Sequence, residues 1–287
     1  MKIKATLELI KFSHSIFALP FALVSMVLAA PLRAAQGFPG WRLFFLILLA
    51  MVAARSSAMA FNRLIDAPID AKNPRTQNRH LPKGWLSPRY VLFFTIASGF
   101  LFLLASYGIN WTTFCLSPIA LIIILGYSFT KRFTWLSHFW LGFSLGIAPI
   151  AVWIAIRNEI SLISVWLCLA VTCWVAGFDI IYSTQDASFD RTHQLHSIPV
   201  RFGIEKGLNI ARWSHRATLF FLFLFGWAAH LHPLYWPLLA CIAFAFWWEH
   251  ALVTPYDLSR VNAAFFTANG FVSLGFLLGM LIIVRFH

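Results

Sequence analysis

Long apolar segments alternate with short polar ones along most of the chain, a pattern typical of a polytopic membrane protein. Four uncharged windows each have about the 20 residues that one transmembrane helix needs: 12–32, 133–156, 160–178 and 261–284. Residues 90–130 and 217–248 are uncharged for longer and predict two helices each, turning near Gly108–Asn110 and His230–Pro233. One more helix is expected over residues 43–61. The pattern therefore predicts an all-α fold with nine transmembrane helices.

Composition supports the same class. Apolar residues make up 60% of the 287 residues and charged residues 11%, whereas soluble domains carry about 25% charged residues. No linker rich in Gly, Pro and Ser divides the chain, so we expect a single integral membrane domain over residues 1–287. The first apolar run is longer than the core of a typical signal peptide, and we expect it to remain as the first helix.

Basic residues predict the orientation in the bilayer. Of the 22 Lys and Arg residues, 17 lie in five segments: 1–11, 62–89, 131–132, 191–216 and 260. The positive-inside rule places these segments on the cytoplasmic side. The net charge of +12 is mostly this topological bias, and we expect no nucleic-acid partner, since nucleic-acid binding needs a basic face on a soluble module.

Acidic residues are scarce and clustered. The chain has only ten, and five of them lie in two short groups at the ends of apolar runs. In the first group, Asn62, Asp66 and Asp70 are spaced i, i+4 and i+8, which puts three oxygen donors on one helical face. Carboxylates gathered beside hydrocarbon are costly unless they share a cation. A metal site is therefore the first interpretation.

The second group repeats the spacing. Asp186 and Asp190 are again i and i+4, and Asp179 lies one heptad before Asp186. Hard oxygen donors at a hydrated site suit Mg²⁺, which commonly shares its shell with substrate phosphates. Two such faces across a cavity would hold a diphosphate through Mg²⁺. The alternative is that these acids only cap helix ends or balance nearby Lys and Arg.

Arg55 lies inside a predicted helix, on the same stripe as Asn62 and Asp66. An arginine within a span is expensive and normally faces a cavity with a partner. It is either an anchor for an anionic substrate group, such as an aromatic carboxylate or a diphosphate, or a structural ion pair with a motif acid. Other basic residues near the motifs are candidate phosphate contacts, Arg79 and Lys131 foremost, or ordinary positive-inside loop residues.

Small residues within the apolar runs indicate packing rather than chemistry. Gly142 and Gly146, like Gly275 and Gly279, have the spacing of close helix contacts. The four cysteines lie in apolar segments without a CxxC pair. We therefore expect neither disulfides nor a zinc site.

Three sequence blocks together resemble the UbiA superfamily of intramembrane aromatic prenyltransferases. They are NRLIDAPIDAKNPRTQNRHLPKG at 62–84, YSFTKRF at 127–133 and AGFDIIYSTQDASFDRTHQLHSIPVRFG at 176–203. The resemblance extends over essentially the whole chain. It is strongest to the branch of 4-hydroxybenzoate polyprenyltransferases, which includes relatives that prenylate a dihydroxynaphthoate for menaquinone.

The resemblance implies a helical bundle around a central cavity in the cell's inner (cytoplasmic) membrane; the positive-inside bias places both motifs on the cytoplasmic side. The resemblance implies that Mg²⁺ binds the diphosphate of a polyprenyl diphosphate, and that the prenyl group is transferred to an aromatic acid acceptor. By position, the metal-binding residues are Asn62, Asp66, Asp70, Asp186 and Asp190, and the four aspartates are the catalytic candidates. The resemblance also carries over Lys131 and Tyr182, so that the candidate substrate contacts are Arg55, Arg63, Arg79, Lys131, Asp179 and Tyr182.

The first motif departs from the family pattern. Many members have Asp in place of Arg63 and Arg in place of Ala67, so Arg63 or Arg55 becomes the candidate for the missing arginine contact. Pro68 is expected to bend or end the helix between the two aspartates.

The acceptor stays open between 4-hydroxybenzoate and a dihydroxynaphthoate, in ubiquinone or menaquinone biosynthesis. Chlorophyll-like or haem-like acceptors are not discriminated either. A membrane transporter is the non-enzymatic alternative. It predicts charges near the bilayer midplane, whereas the acids here cluster toward one side.

Overall fold

The computed structural model describes residues 2–10, 19–30 and 38–286. Within these ranges the chain is helical, and no strand is present. The chain forms two compact units. Unit 1 comprises Met1–Ser15 and Trp41–Phe129, and unit 2 comprises Ile16–Gly40 and Thr130–His287. The single-domain prediction stays a prediction.

The helices are numbered along the chain. They are α1 Lys2–Leu9, α2 Leu19–Ala29, α3 Trp41–Asp70, α4 Pro88–Ile109, α5 Trp111–Thr130, α6 Ser137–Arg157, α7 Leu162–Ser183, α8 Ala187–Thr192, α9 Ile198–Phe202, α10 Ile204–Ala228, α11 Tyr235–Ala251, α12 Val261–Ala263 and α13 Asn269–Ile283. A 3₁₀ turn, Thr184–Asp186, joins α7 to α8, and a π-helical segment, Ala264–Ala268, joins α12 to α13.

In unit 1, helices α3 and α4 pack along their length. Ser57 on α3 donates to the carbonyl of Thr95 on α4 at 3.0 Å. The start of α4 is fixed by Ser87, whose side chain accepts from the Tyr90 amide, and by Pro88 in the first turn. These contacts give α3, which carries the first acidic motif, a rigid support.

In unit 2, helix α7 is packed between α6 and α10. A Cβ atom on Gly142 or Gly146 of α6 would collide with backbone atoms of α7 at Thr172 and Cys168. This close approach confirms the packing role predicted for these two glycines. The α7 helix, which leads into the second acidic motif, is therefore held by backbone-to-backbone contact.

Six helices in the described residues are long and apolar enough to cross a membrane. They correspond to Trp41–Asp70, Pro88–Ile109, Trp111–Thr130, Ser137–Arg157, Leu162–Thr192 and Val261–Phe286. The predicted turns near residues 109 and 231 are both present. The count of nine is not confirmed.

Three predicted spans account for the difference. The window 12–32 is described only in part, as α2 and its flanks, because residues 11–18 and 31–37 lie outside the described ranges. Helix α10 carries four charged residues in its first half, and α11 has 17 residues. Neither of these two is among the six candidate spans.

The polar segments are more helical than the sequence indicated. The helix predicted over residues 43–61 extends to Asp70, because α3 continues through the motif. Residues 179–212, which lie outside the predicted transmembrane windows, are mostly helical. Both corrections have one physical cause: the polar side chains are satisfied by partners within or beside a helix and need no loop to reach water.

Pro68 does not end its helix. The α3 helix runs on to Asp70, and the Ala71 amide still bonds to the Ala67 carbonyl at 3.1 Å. Proline removes only one backbone donor here, close to the C-terminal end, where few later hydrogen bonds depend on it. The expectation that the helix ends between Asp66 and Asp70 is therefore wrong, and both acids lie on one helix.

Candidate functional site

In the first motif, Asn62 and Asp66 occupy half-buried positions of α3 and Asp70 is buried. Asn62 Nδ2 donates to Asp66 Oδ2 at 2.9 Å, one turn further along the helix. This contact confirms that the i, i+4 spacing brings the two side chains together. The amide and the carboxylate thus form one oxygen-bearing pair near the C-terminal end of a membrane-spanning helix.

Asp70 has a different environment from Asp66. Both of its carboxylate oxygens lie 2.7 Å from Arg79 Nη1, and its backbone carbonyl accepts from the Thr76 hydroxyl at 3.1 Å. The loop after α3 therefore folds back so that Arg79 neutralises Asp70. The sequence proposed Asp70 as a metal ligand and Arg79 as a phosphate contact, and the structure pairs them with each other.

A cavity of about 310 Å³ opens beside this ion pair within unit 1. Its lining includes Arg63, Arg75, Arg79 and His80 with the acids Asp70 and Glu8. Arg63 is 9% exposed and lies within electrostatic range of Asp70, Asp66, Arg79 and Tyr127. The basic groups outnumber the acids, so the cavity favours an anion.

Arg55 lies on the same helix, seven residues before Asn62. Its Nε is buried and has no hydrogen-bond partner among the described residues. Within the described part of unit 1, no ion pair joins Arg55 to an acid of the first motif. Of the two alternatives for this residue, the structural ion pair is therefore not observed, and the guanidinium keeps donors for another group.

The second motif does not lie on one regular helical face. Asp186 ends the 3₁₀ turn after α7, and Asp190 is on α8; they are 7% and 4% exposed. Ser183 and Thr184 donate to the carbonyls of Ile180 and Ile181 at 2.8 and 2.7 Å, which competes with continuation of the α-helix. The predicted i, i+4 helical face is corrected to a turn followed by a short helix.

Asp179 forms a hydrogen bond with His138, a residue that no sequence motif indicated. His138 Nδ1 lies 2.6 Å from Asp179 Oδ2, and the Ile198 amide donates to His138 Nε2 at 3.3 Å. Since an amide N–H can only donate, Nε2 is the acceptor and Nδ1 carries the proton toward Asp179. Fully buried His138 thus connects α6, α7 and the start of α9. In the sequence, His138 stands out only as a histidine within the uncharged window 133–156.

Tyr182 and Lys131 lie near the second motif within unit 2. The Tyr182 ring contacts the Phe265 ring, with centroids 4.4 Å apart. The Lys131 carbonyl accepts from the His196 amide at 2.7 Å, and the Asp190 carbonyl accepts from the Leu195 amide at 2.8 Å. Two successive amides of one loop therefore attach it to Lys131 and to the second motif.

Comparison with known proteins decides the family. The model of the UbiA prenyltransferase family matches residues 18–274. The chain belongs to this family. It is therefore a prenyltransferase and a multi-pass membrane protein, as the three sequence blocks indicated.

Curated relatives of this UbiA prenyltransferase include two that are named 4-hydroxybenzoate octaprenyltransferase. The one from Paracidovorax citrulli (strain AAC00-1) is 31% identical over 216 residues, which cover 73% of this chain and 70% of the relative. The one from Vibrio vulnificus (strain CMCP6) is 29% identical over 256 residues, 88% of each chain.

Solved structures share the fold. The apo structure of a UbiA homolog from Aeropyrum pernix K1 matches with a TM-score of 0.84 at 31% identity, covering 94% of this chain and 98% of that one. A UbiA homolog from Archaeoglobus fulgidus bound to GPP and Mg²⁺ matches with a TM-score of 0.78 at 19% identity, covering 98% and 99%. The latter supports the fold alone.

The donor set of this UbiA prenyltransferase fits Mg²⁺. Asn62 and Asp66 present hard oxygen donors one helical turn apart, in contact with each other. No group of three His, Cys, Asp or Glu side chains in the described residues could by itself hold a metal ion. A partial protein shell completed by water and phosphate oxygens is the arrangement that Mg²⁺ commonly adopts.

Proposed function

We propose that this UbiA prenyltransferase transfers a polyprenyl group from a polyprenyl diphosphate to 4-hydroxybenzoate, at the ring carbon ortho to the hydroxyl, in a Mg²⁺-dependent reaction of quinone biosynthesis. The observation that carries the proposal is the stripe on α3. Arg55, whose buried Nε lacks a partner in the described part of the chain, precedes the oxygen pair Asn62–Asp66 by two helical turns. The names of the relatives support the same acceptor.

The spacing on this stripe suits an aromatic acid. Seven residues of α-helix span about 10 Å, which leaves room for a benzoate ring between a guanidinium and a metal-bound diphosphate. Arg55 would receive the carboxylate, because a guanidinium forms paired hydrogen bonds with that group. The far end of the ring would then point toward the oxygen donors.

We propose that Asn62, Asp66 and Asp70 of the first motif and Asp186 and Asp190 of the second supply ligands for Mg²⁺. When bound, Mg²⁺ would supply positive charge to the leaving diphosphate. In the first motif, Asp66 is the stronger candidate for direct ligation, since Arg79 contacts both oxygens of Asp70. Arg79 and Asp70 would then act as a pair at the diphosphate.

The remaining residues would bind the diphosphate and keep water from the reacting carbon. Arg63, Arg79 and Lys131 would neutralise diphosphate oxygens as the allylic C–O bond breaks. The ring carbon of the acceptor forms the new C–C bond, and the proton on that carbon leaves to restore aromaticity. Tyr182 and the ring of Phe265 offer an apolar, electron-rich surface near the second motif. Such a surface excludes water from an electrophilic carbon.

The decisive experiment is an acceptor comparison. Membranes containing the enzyme would be incubated with Mg²⁺, a labelled polyprenyl diphosphate, and either 4-hydroxybenzoate or a dihydroxynaphthoate. We expect label in a prenylated 4-hydroxybenzoate, and no product when Mg²⁺ is chelated. Product only with the dihydroxynaphthoate would reassign the enzyme to menaquinone biosynthesis, and product with neither would reject both acceptors.

Variants in the same assay test the metal ligands. Asp66→Ala and Asp186→Ala should each lower kcat/KM by at least about 100-fold, because each removes charge stabilisation from the leaving group. Glu159→Gln, which changes an exposed acid between α6 and α7, is the matched control and should leave transfer unchanged. Near-normal activity in either Asp variant would contradict the metal assignment.

A further inference from the structure

Unit 2 contains a cluster of buried titratable side chains that the proposed reaction does not use. Glu249 on α11 has no exposed surface, and His215 on α10 is 2% exposed. His250, the next residue after Glu249, is half-buried. Charged groups at such depth in a membrane protein are expensive and usually have a function.

Hydrogen bonding fixes the tautomer of His215. Its Nε2 lies 3.3 Å from the carbonyl oxygen of Trp174, which can only accept, so Nε2 carries a proton. In the neutral ring Nδ1 is then an acceptor, and His250 Nε2, at 3.0 Å, is its donor. The same Nδ1 faces Glu249 Oε2 at 3.7 Å, too far for a hydrogen bond.

The carboxyl group of Glu249 is only half satisfied. Its Oε1 accepts from Asn269 Nδ2 at 2.9 Å, whereas Oε2 is buried and has no hydrogen-bond partner among the described residues. An ionised carboxylate in this position would be an uncompensated buried charge with one unsatisfied oxygen. One added proton, on the carboxyl group of Glu249, makes the cluster neutral, because Nδ1 of His215 already accepts from His250.

The surroundings disfavour a second proton. On α10, Arg212 and Arg216 lie within electrostatic range of His250. The groups that face the cluster from α7 and α13 are Trp174 and Asn269, which do not titrate. A doubly protonated cluster would therefore place a buried positive charge beside two arginines. The arrangement favours one proton.

We propose that Glu249, His215 and His250 form a buried binding site for one proton. A proton fits better than a metal ion, because no group of three such side chains in the described part of the chain is arranged to ligate a metal. The inference does not depend on the acceptor or on Mg²⁺, so it can fail while the proposed function stands.

The site joins the helices around α7. Trp174 Nε1 donates to Asn269 Oδ1 at 2.6 Å, and the carbonyl of Trp174 accepts from His215. Asn269 Nδ2 also reaches the carbonyls of Ala264 and Phe265 in the π-helical segment, at 3.2 and 3.1 Å. The bound proton thus keeps a four-helix polar contact neutral, next to the helix that leads into the second acidic motif.

The test compares Glu249→Gln, Glu249→Ala and the wild-type full-length protein in detergent. Glutamine reproduces a neutral carboxyl group in shape, so Glu249→Gln should keep the wild-type thermal midpoint at neutral pH. Glu249→Ala leaves Asn269 and His215 with an unfilled space and should lower the midpoint by roughly 5 °C. Glu205→Gln, at an exposed position of α10, is the matched control and should change nothing.

The pH profile and the infrared spectrum complete the test. From mildly acidic to alkaline pH, the wild-type midpoint should fall as the buried proton becomes harder to retain, and the Glu249→Gln midpoint should not. The wild-type spectrum should contain a protonated-carboxyl C=O band that Glu249→Gln lacks. Parallel pH profiles, absence of that band, or a Glu249→Gln protein as unstable as Glu249→Ala would each overturn the proposal.

Discussion

At the scale of single residues, spacing predicted some contacts and missed others. The i, i+4 rule brought Asn62 and Asp66 together because both lie on one helix. Asp186 and Asp190 do not lie on one continuous α-helix: Asp186 ends a 3₁₀ turn, where side-chain hydrogen bonds from Ser183 and Thr184 compete with the helix. The partner of Asp179, His138, is 41 residues away in sequence, and no local pattern encodes such a contact.

At this scale, the proposed role of Arg55 predicts a specific change in substrate affinity. If its guanidinium receives the acceptor carboxylate, Arg55→Ala should raise the KM for the aromatic acid by about 10- to 100-fold, the value of a charged hydrogen bond. The KM for the prenyl diphosphate should change little. Steady-state kinetics with each substrate varied in turn would measure both.

Two further variants define the control for this prediction. Arg42→Ala removes an exposed arginine at the start of the same helix, where it donates to the Gly108 carbonyl, and should leave both KM values unchanged. Arg55→Lys keeps the charge without the paired donors and should recover only part of the affinity. Equal increases of both KM values in Arg55→Ala would exclude the acceptor role.

At the scale of helices, the uncharged windows correctly predicted the centres of the helices. The polar residues led to wrong predictions of where the helices end. The turn near Asn110 is where the sequence predicted it, because the polar break falls between two long uncharged runs. The predicted helix ended at residue 61, nine residues before the observed end of α3 at Asp70. The expectation that Pro68 ends the helix was wrong, because the loss of one backbone hydrogen-bond donor near a helix end costs little free energy.

The contact between α6 and α7 yields a prediction about stability. Gly142 lies against the backbone of Thr172, so a side chain at this position must push the helices apart. Gly142→Val should lower the thermal midpoint in detergent by roughly 5 °C, from an overpacking cost of about 1–3 kcal/mol. At Gly275, no atom of the described residues lies within 4 Å of an added Cβ, so the close contact expected there is wrong and Gly275→Val serves as the control. Equal midpoints for the two variants would contradict the close packing.

At the scale of the whole molecule, the composition of the sequence predicted the structural class and the membrane environment. The distribution of Lys and Arg predicted the orientation in the bilayer. Six of the nine predicted spans are supported by helices of sufficient length and apolarity in the described residues. The other three were predicted from the window 12–32, which is described only in part, and from residues 217–248, where the observed α10 is partly charged and α11 is short. An apolar window cannot separate a span from a helix buried within the protein. The division into two units has no counterpart in local sequence, because it depends on contacts between distant helices.

The orientation itself is the last testable expectation. The positive-inside bias predicts that Gln77, after the first motif, and Thr254, after α11, lie on the cytoplasmic side. Asn158, between α6 and α7, and His232, between α10 and α11, should lie on the opposite side. Single cysteines at these positions would be labelled with a membrane-impermeant maleimide in intact cells and in inverted vesicles.

The background for this experiment is a variant without native thiols. All four native cysteines are free, so their replacement by alanine breaks no disulfide. Cysteines at 158 and 232 should react only in intact cells, and those at 77 and 254 only in inverted vesicles. Because diphosphate substrates are charged and do not cross the bilayer, this result would place the first motif on the face where they are available. Labelling of residue 77 from outside would invert the topology and remove that access.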